Sequence, residues 1–177
     1  NRTRKRTTSI TMHIKKITPE SLKTFQEFIW DFYKQEKRDF AWRETTDPYH
    51  IVVSEIMLQQ TQTSRVEQKY QEFISTFKTF QELADASFKD VLKLWVGLGY
   101  NRRAQALYGI AQKVVQEFDG VLPDNPEVLE TFRGLGPATS SSIVAFAFNK
   151  PTVFIETNVR AVFLHTFFKD QDEVHDK

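Results

Sequence analysis

Two glutamates, Glu55 and Glu156, have the type and setting that could support acid–base chemistry. Glu55 lies in the segment Ser54–Gln62, where most neighbours are apolar or uncharged, and Glu156 follows an apolar run. Removing a carboxyl group from water favours its protonated form, which suits Glu55 to proton donation as a general acid. Gln59 and Gln60 could donate hydrogen bonds to the edges of nucleic-acid bases and accept hydrogen bonds from them. This segment alone favours the alternative, in which Glu55 faces solvent and the glutamines solvate the end of its helix.

A second candidate site is the turn formed by Gly134, Leu135 and Gly136, which joins two short amphipathic segments. Two glycines one residue apart allow a tight turn with positive φ, and such a turn leaves its N–H groups bare. Because a helix N-terminus follows, the turn predicts an anion site, for which a nucleic-acid phosphate is a plausible ligand. A Gly-Leu-Gly turn on its own is a weak signal.

Three other side chains could hold or displace a flat heterocycle. Trp42 and Arg43 pair an indole with a guanidinium, which can stack on a base and donate hydrogen bonds to it. The alternative for this pair is a core Trp beside a surface Arg. Tyr100 directly follows the turn Gly97–Gly99 and could act as a wedge in an opened DNA stack. The alternative for Tyr100 is an aromatic residue that caps a helix.

Helices must position these residues, because helical patterns cover nearly the whole chain. Apolar residues recur at intervals of three and four, and capping residues or Pro mark several starts. These patterns predict an all-α bundle of about nine helices that includes a helix-hairpin-helix motif. Residues 170–177 begin another polar, helix-like segment and then stop, which suggests a truncated C-terminus. The predicted helices begin at Thr18-Pro19, at Asp47-Pro48, at Ser87 with Asp90 as a capping box, after the break at Gly97-Leu98-Gly99, at Pro126 with Asp124 or Asn125 as the cap, near Ala138, and after Glu156. Apolar residues from Val66 to Phe77 mark one more helix.

The length of 177 residues suits one domain, or one domain with an incomplete second. We predict a single globular domain over residues 12–177, with a core rich in Phe. No run approaches the ~20 apolar residues that a membrane span needs. The chain has no Cys, which excludes disulfides, thiolate metal sites and a Cys nucleophile within it and is compatible with a cytoplasmic setting. Its four histidines show no metal-ligand spacing.

The charge of the chain argues against a large, strongly basic surface for binding nucleic acid. The formal net charge is +1, but residues 1–11 contribute +4, so the remainder carries −3. The basic tail of residues 1–11 could grip phosphates or act as an address signal. We expect instead that it is upstream sequence outside the native chain, because Met12 is suited to be the start.

Six blocks of sequence occur in an order that resembles the helix-hairpin-helix (HhH-GPD) DNA glycosylase superfamily, in its endonuclease III-like part. The similarity is greatest to the adenine DNA glycosylases, which remove adenine mispaired with 8-oxoguanine or G, and it covers about residues 20–168. The block Ser54–Gln62 is highly specific, the block ending at Tyr100 moderately so, and the hairpin marks only the superfamily. The blocks are Trp42-Arg43, Pro48-Tyr49, Ser54–Gln62, Leu94–Tyr100, Gly134–Gly136 and Glu156–Val159.

The resemblance implies a role for each site residue. Glu55 matches the position that protonates the leaving adenine, and Glu156 matches the family's catalytic Asp. Such chemistry requires a proton on the departing base and an anion near the developing oxocarbenium ion. The other implied roles are a base pocket for Trp42 and Arg43, insertion on the lesion side for Gln59 and Gln60, a wedge for Tyr100, support of the catalytic carboxylate for Asn158, and phosphate binding for Gly134, Leu135 and Gly136.

Four departures from the family pattern bear on this assignment. Glu156 is one methylene longer than Asp, and small displacements of reacting groups can cost about 100-fold in rate. Ala138 stands where bifunctional members keep a Schiff-base Lys, so we predict no lyase activity of that type. Arg133 replaces the usual Pro, and Pro137 lacks an N–H that could bind phosphate. The chain ends soon after Phe168, so a [4Fe-4S] cluster or a domain that reads 8-oxoguanine requires a further C-terminal segment, the cluster with four Cys.

The leading hypothesis is a monofunctional, monomeric glycosylase of base-excision repair, acting on double-stranded DNA with a mismatch or oxidised base. We expect no cofactor within this chain and a cytoplasmic location, associated with the nucleoid if the source is prokaryotic. One rival is a non-catalytic relative that binds damaged duplex. The other rival is a glycosylase for another base, such as thymine or a damaged purine.

Overall fold

The computed structural model describes residue 14 and residues 16–169, which fall in two compact units. One unit comprises residues 1–38 and 155–177, and the other comprises residues 39–154. All regular elements of the described residues are helical, which confirms the predicted all-α class. None of these helices is long and apolar enough to cross a membrane. A single domain over residues 12–177 stays a prediction.

Nine α-helices and one short 3-10 turn (Ala41–Arg43) make up this described part. Two of the α-helices belong to the unit that holds both chain ends, and the other seven belong to the unit of residues 39–154. In chain order, they are α1 (Pro19–Glu36), α2 (Pro48–Leu58), α3 (Thr63–Thr76), α4 (Phe80–Asp85), α5 (Phe88–Trp95), α6 (Asn101–Glu117), α7 (Pro126–Glu130), α8 (Pro137–Phe148) and α9 (Thr157–Phe167).

Local capping explains where several helices begin. Thr18 and Ser21 form a reciprocal capping box at α1, and the Asp47 side chain accepts a hydrogen bond from His50 N at α2. Of the two predicted caps for α7, the structure uses Asn125, whose Oδ1 accepts from Glu127 N at 2.8 Å. These starts confirm the predicted helix positions.

Two details of the helix prediction were incomplete. Ser87 Oγ accepts from Asp90 N, as in a capping box, but the Asp90 carboxylate accepts from the Ser87 hydroxyl at 2.6 Å instead of its backbone N–H. Helix α4 was not predicted, although Thr79 Oγ1 caps it by accepting from Glu82 N. The predicted segment of residues 170–177 and the tail of residues 1–11 lie outside the described residues.

Helix α2 is the central helix of the unit of residues 39–154. It packs against α3, α6 and α8, and seven of its eleven residues are buried. Burial on several sides explains its nearly continuous apolar sequence, in which Glu55 is the single residue with a full charge. The core around α2 includes large, fully buried side chains, among them Ile56, Met57, Tyr70, Phe73, Trp95, Leu107 and Ile143.

The hairpin between α7 and α8 contains one glycine that its geometry requires. Gly134 has φ of +97°, and an added Cβ would lie 2.6 Å from the Cβ of Ala106 on α6. Gly136 has φ of −94°, which any residue can adopt, so the expected positive φ is right for Gly134 and wrong for Gly136. Gly136 instead caps α8, which begins one residue earlier than expected, at Pro137.

In the unit that holds the chain ends, aromatic residues join α1 and α9. The Phe25 ring centroid lies 5.9 Å from that of Phe163 and 5.0 Å from that of Phe167. Ile14 N donates to Thr166 O at 2.9 Å. These contacts pack α9 against α1, and they therefore support Glu156, which lies at the start of α9 in the same unit.

Candidate active site

Glu55 is half-buried on α2 and receives a hydrogen bond from the neighbouring helix α8. Ser142 Oγ donates to Glu55 Oε2 at 2.6 Å, and Ser142 itself is 5% exposed. Thr139 O lies 2.9 Å from the same hydroxyl and offers it a second acceptor. A donor fixed on one carboxylate oxygen helps to hold the orientation of the carboxyl group. Sequence reasoning missed Ser142, which is the last of four consecutive hydroxyl residues in α8 (Thr139–Ser142) and is not distinguished from the others by its neighbours.

The carboxyl end of α2 lies beside the hairpin. Gln59 Nε2 is 3.4 Å from Gly134 O and 3.5 Å from Thr139 Oγ1, both at hydrogen-bonding geometry. The next residue, Gln60, is exposed and has φ of +54°. The structure therefore brings Glu55, Gln59 and the Gly134–Gly136 turn together within one unit.

The turn before α6 lies next to the same end of α2. Thr61 Oγ1 is 3.5 Å from Leu98 O, and Trp95 Nε1 donates to Gly99 O at 3.0 Å. Tyr100 is 58% exposed, has φ of +48°, and occupies the cap position of α6 without a side-chain capping bond. Its exposure is compatible with the predicted wedge, which stays a prediction.

Arg103 on α6 links the carboxyl end of α2 to the turn before α6, and sequence reasoning missed it. Its side chain is 6% exposed, and its guanidinium donates to carbonyls at the end of α2 and in the turn before α6. Burial lowers the pKa of Arg103. The available signal was its position one helical turn before buried Leu107, on the apolar face of α6. Its acceptors are Ile56 O (3.2 Å), Met57 O (3.0 Å), Gln59 O (2.5 Å), Leu98 O (2.7 Å) and Gly99 O (3.1 Å).

The hairpin offers part of the expected anion site. Leu135 is buried and its N–H donates to Phe132 O at 3.1 Å, so this N–H is not bare as expected. The first turn of α8 still provides N–H groups at Ala138 and Thr139 that have no acceptor earlier in their own helix. Pro137, at the first position of α8, contributes none.

Trp42 and Arg43 lie in the 3-10 turn before α2. Trp42 is 6% exposed; its ring stacks on Phe40 at 4.7 Å and meets the edge of Tyr70 at 5.4 Å. Arg43 is exposed, with its guanidinium 5.2 Å from the centre of the Phe40 ring. One face of the indole is thus covered by Phe40. This packing is the alternative described above, a core Trp beside a surface Arg, and the base-pocket role stays a prediction.

Glu156 and Asn158 belong to the unit that holds the chain ends. Glu156 caps α9, where its Oε1 accepts from Val159 N at 3.0 Å. Asn158 Nδ2 donates to the other carboxylate oxygen of Glu156 at 3.2 Å. Both oxygens of this carboxylate therefore have donors that hold its orientation.

Metal-binding residues are not grouped in the part of the chain that the structure describes, where no cluster of His, Asp or Glu could hold an ion. Because this chain has no Cys, it supplies no thiolate ligand for an iron–sulfur cluster. The residues present do not fit such a cluster, and no chemical step is assigned to one.

Comparison with known proteins identifies the family. Residues 53–177 match the model of the HhH-GPD superfamily base excision DNA repair protein. Adenine DNA glycosylase of Mycobacterium tuberculosis is 38% identical over 132 residues, which is 74% of this chain and 43% of that relative. The chain therefore spans less than half of the length of this relative.

Solved structures show the same fold. A thermostable thymine-DNA glycosylase superposes with a TM-score of 0.77 at 29% identity, over 81% of this chain and 67% of that one. A non-covalent endonuclease III–DNA complex has a TM-score of 0.73 at 14% identity, over 84% and 68% of the respective chains. At 14% identity the likeness concerns the fold alone. The chain belongs to the HhH-GPD superfamily of base excision DNA repair proteins.

Proposed function

We propose that this chain is the catalytic part of a monofunctional DNA glycosylase that removes adenine mispaired with 8-oxoguanine or G. The observation that carries the proposal is Glu55, the single fully charged residue of central helix α2, held by Ser142 beside the hairpin. The adenine DNA glycosylase at 38% identity supports adenine as the base.

The proposed reaction is hydrolysis of the N-glycosidic bond. Glu55 donates its proton to the adenine as the bond to C1′ breaks, so the base leaves neutral. Glu156, as a carboxylate oriented by Asn158, stabilises the oxocarbenium ion and accepts a proton from the water that adds to C1′. The products are free adenine and an abasic site.

Ala138 supports a reaction without a covalent enzyme intermediate at that position. Its methyl side chain cannot attack C1′, whereas the Lys of bifunctional relatives forms a Schiff base there. Strand cleavage should therefore require added alkali.

Duplex DNA is the proposed partner, and base extrusion is the proposed route to the site. The hairpin and the first turn of α8 are suited to hold a phosphate, and exposed Gln60 and Tyr100 are suited to enter the base stack. We propose action as a monomer in the compartment that holds the DNA, the cytoplasm in a prokaryote.

The second candidate function is removal of thymine opposite G. The observation that favours it is the thymine-DNA glycosylase structure, which matches at 29% identity with a TM-score of 0.77. The two candidates share the fold and differ in the base that is extruded.

A single-turnover assay separates these candidates. Three end-labelled duplexes would carry A opposite 8-oxoguanine, A opposite G, or T opposite G, and each sample would be split with and without alkali. Cleavage of the two A duplexes only after alkali supports the proposal. Faster cleavage of the T duplex supports the second candidate, and binding without excision of any base contradicts both.

The variant Glu156→Asp serves as the matched test of the second carboxylate. It restores the family residue and shortens the side chain by one methylene. An increased rate of excision supports the catalytic role of Glu156, because a small displacement of a group that acts at the reacting carbon lowers the rate strongly. An unchanged rate contradicts the idea that the extra methylene impairs this site.

A further inference from the structure

One buried guanidinium binds the backbone of both loops that carry the proposed DNA-inserting residues. Arg103 Nη1 donates to Ile56 O, Met57 O and Gln59 O, at the carboxyl end of α2. Its Nη2 donates to Leu98 O and Gly99 O, in the turn before α6. Each terminal nitrogen of the fork thus serves a different loop.

The residues directly after two of these carbonyls have an unusual backbone. Gln60 follows Gln59 O and has φ of +54°, and Tyr100 follows Gly99 O and has φ of +48°. A side chain with a Cβ disfavours this left-handed region, so it persists where the surroundings hold it. Both residues are exposed. The Tyr100 ring can stack on a base, and the Gln60 amide can hydrogen-bond to base edges in an opened stack.

The acceptors explain why an arginine occupies this place. The last carbonyls of a helix have no partner within that helix, and α2 ends at Leu58. A cation is favoured at such a helix end, and a planar fork with several donors can serve two peptide segments at once. A lysine ammonium at the end of a flexible stem could not span the same set of carbonyls.

We propose that Arg103 is a positioning residue that fixes Gln60 and Tyr100 as one two-part wedge for opening duplex DNA. This inference rests on the proposed function. Arg103 does not touch the reacting atoms; it sets the backbone from which both inserted side chains project. Loss of the fork would let the two loops move independently, so the wedge would enter a paired duplex poorly.

The test compares Arg103→Lys with Arg102→Lys in the 177-residue chain. Arg102 is adjacent and exposed, and its guanidinium lies 5.5 Å from the centre of the Tyr100 ring. Lys keeps a cation beside that ring, so Arg102→Lys is the same chemical change without loss of the buried fork. A 2-aminopurine beside an A:8-oxoguanine mispair reports unstacking by increased fluorescence. A second duplex carries the same site within a three-nucleotide bubble, where no stack has to be opened. Thermal unfolding confirms that each variant is folded.

We expect folded Arg103→Lys to require at least about tenfold more protein to unstack the paired duplex. Its binding to the bubble should stay within about twofold of wild type, and Arg102→Lys should match wild type on both. An equal loss on paired and bubble duplexes would overturn the proposal, because a general structural defect affects both alike. Equal behaviour of the two Lys variants would also overturn it.

A second variant tests the same idea if Arg103→Lys does not fold. Gly99 has φ of +74°, and an added Cβ would meet nothing within 4 Å, so Gly99→Ala strains the turn before Tyr100 without crowding the core. Gly99→Ala should lower unstacking of the paired duplex and leave binding to the bubble duplex unchanged. Unchanged unstacking of the paired duplex by Gly99→Ala would overturn the proposal.

Failure of the proposed function gives a different result. A wild-type chain that unstacks the paired duplex but excises no base contradicts the glycosylase and leaves the wedge supported. A wild-type chain that binds the bubble and leaves the paired duplex stacked contradicts the wedge itself.

Discussion

Substitution of Gly134 by Ala should be far more destabilising than the same change at Gly136, two residues away. At Gly134 the added Cβ would lie 2.6 Å from the Cβ of Ala106, and φ is +97°. At Gly136 nothing lies within 4 Å of an added Cβ, and φ is −94°. The two glycines therefore form a matched pair within one turn.

The magnitude follows from two terms. Left-handed backbone costs a residue with a Cβ about 1–2 kcal/mol. Overpacking against Ala106, whose Cβ belongs to helix α6 and has little freedom to move, adds about 1–3 kcal/mol. Gly134→Ala should therefore lower the free energy of unfolding by about 2–5 kcal/mol. Gly136→Ala, which replaces a tolerated helix cap by a poor one, should lower it by about 0.5 kcal/mol.

Urea unfolding of the two variants and of Ala106→Gly measures both terms. Ala106→Gly alone should cost about 1 kcal/mol, as for Gly in a helix. Combined with Gly134→Ala it removes the overlap, so the double variant should be more stable than the sum of the single effects by about 1–3 kcal/mol. Equal stability of Gly134→Ala and Gly136→Ala would refute the reasoning, as would strict additivity with Ala106→Gly.

Three further predictions concern buried hydroxyl groups. The Tyr70 hydroxyl is buried and has no hydrogen-bond partner among the residues that the structure describes, so Tyr70→Phe should leave stability in urea unchanged or raise it by up to about 1 kcal/mol. A large loss would contradict this. Burial raises the pKa of Tyr70 to about 12 and also raises that of Tyr49, whereas an unfolded Tyr ionises near pH 10. The folded state keeps both tyrosines neutral, and the stability that this contributes is complete below pH 10. Between pH 10 and pH 12 the free energy of unfolding should fall by about 1.4 kcal/mol per tyrosine per pH unit, and it should fall less steeply in Tyr70→Phe. Urea unfolding at pH 9 and pH 11 measures this fall. Ser142→Ala removes the donor at Glu55 and should slow single-turnover excision about tenfold with a small change in stability, and an unchanged rate would show that this hydrogen bond does not matter.

Local signals made most helices predictable from the sequence. A cap such as Asn125 acts on N–H groups two and three residues ahead, so neighbouring residues contain the needed information. Helix α4 was missed because six residues provide too few turns for a clear periodicity. The positive φ expected at Gly136 was wrong because the turn is complete at Gly134 and helix capping already begins.

The candidate site was predictable only in part. The resemblance selected Glu55 and the loops around it, and the structure brings Glu55, Gln59 and the hairpin together. Ser142 lies 87 residues from Glu55, and Arg103 lies 44 residues from Gln59. Contacts over such separations depend on helix packing. The helical period could place Arg103 on the apolar face of α6, but it could not identify the partners of Arg103 or Ser142, so neither residue was predicted.

Single-turnover excision by the Glu55→Gln variant tests the central claim most directly. Gln keeps an oxygen that can accept from Ser142 but cannot donate a carboxylic proton, so geometry is retained while the acid is lost. The account predicts that wild type releases adenine from the A:8-oxoguanine duplex and that Glu55→Gln binds this duplex with similar affinity. It also predicts a rate for the variant at least about 100-fold lower. A Glu55→Gln variant that excises adenine at the full wild-type rate would contradict the account.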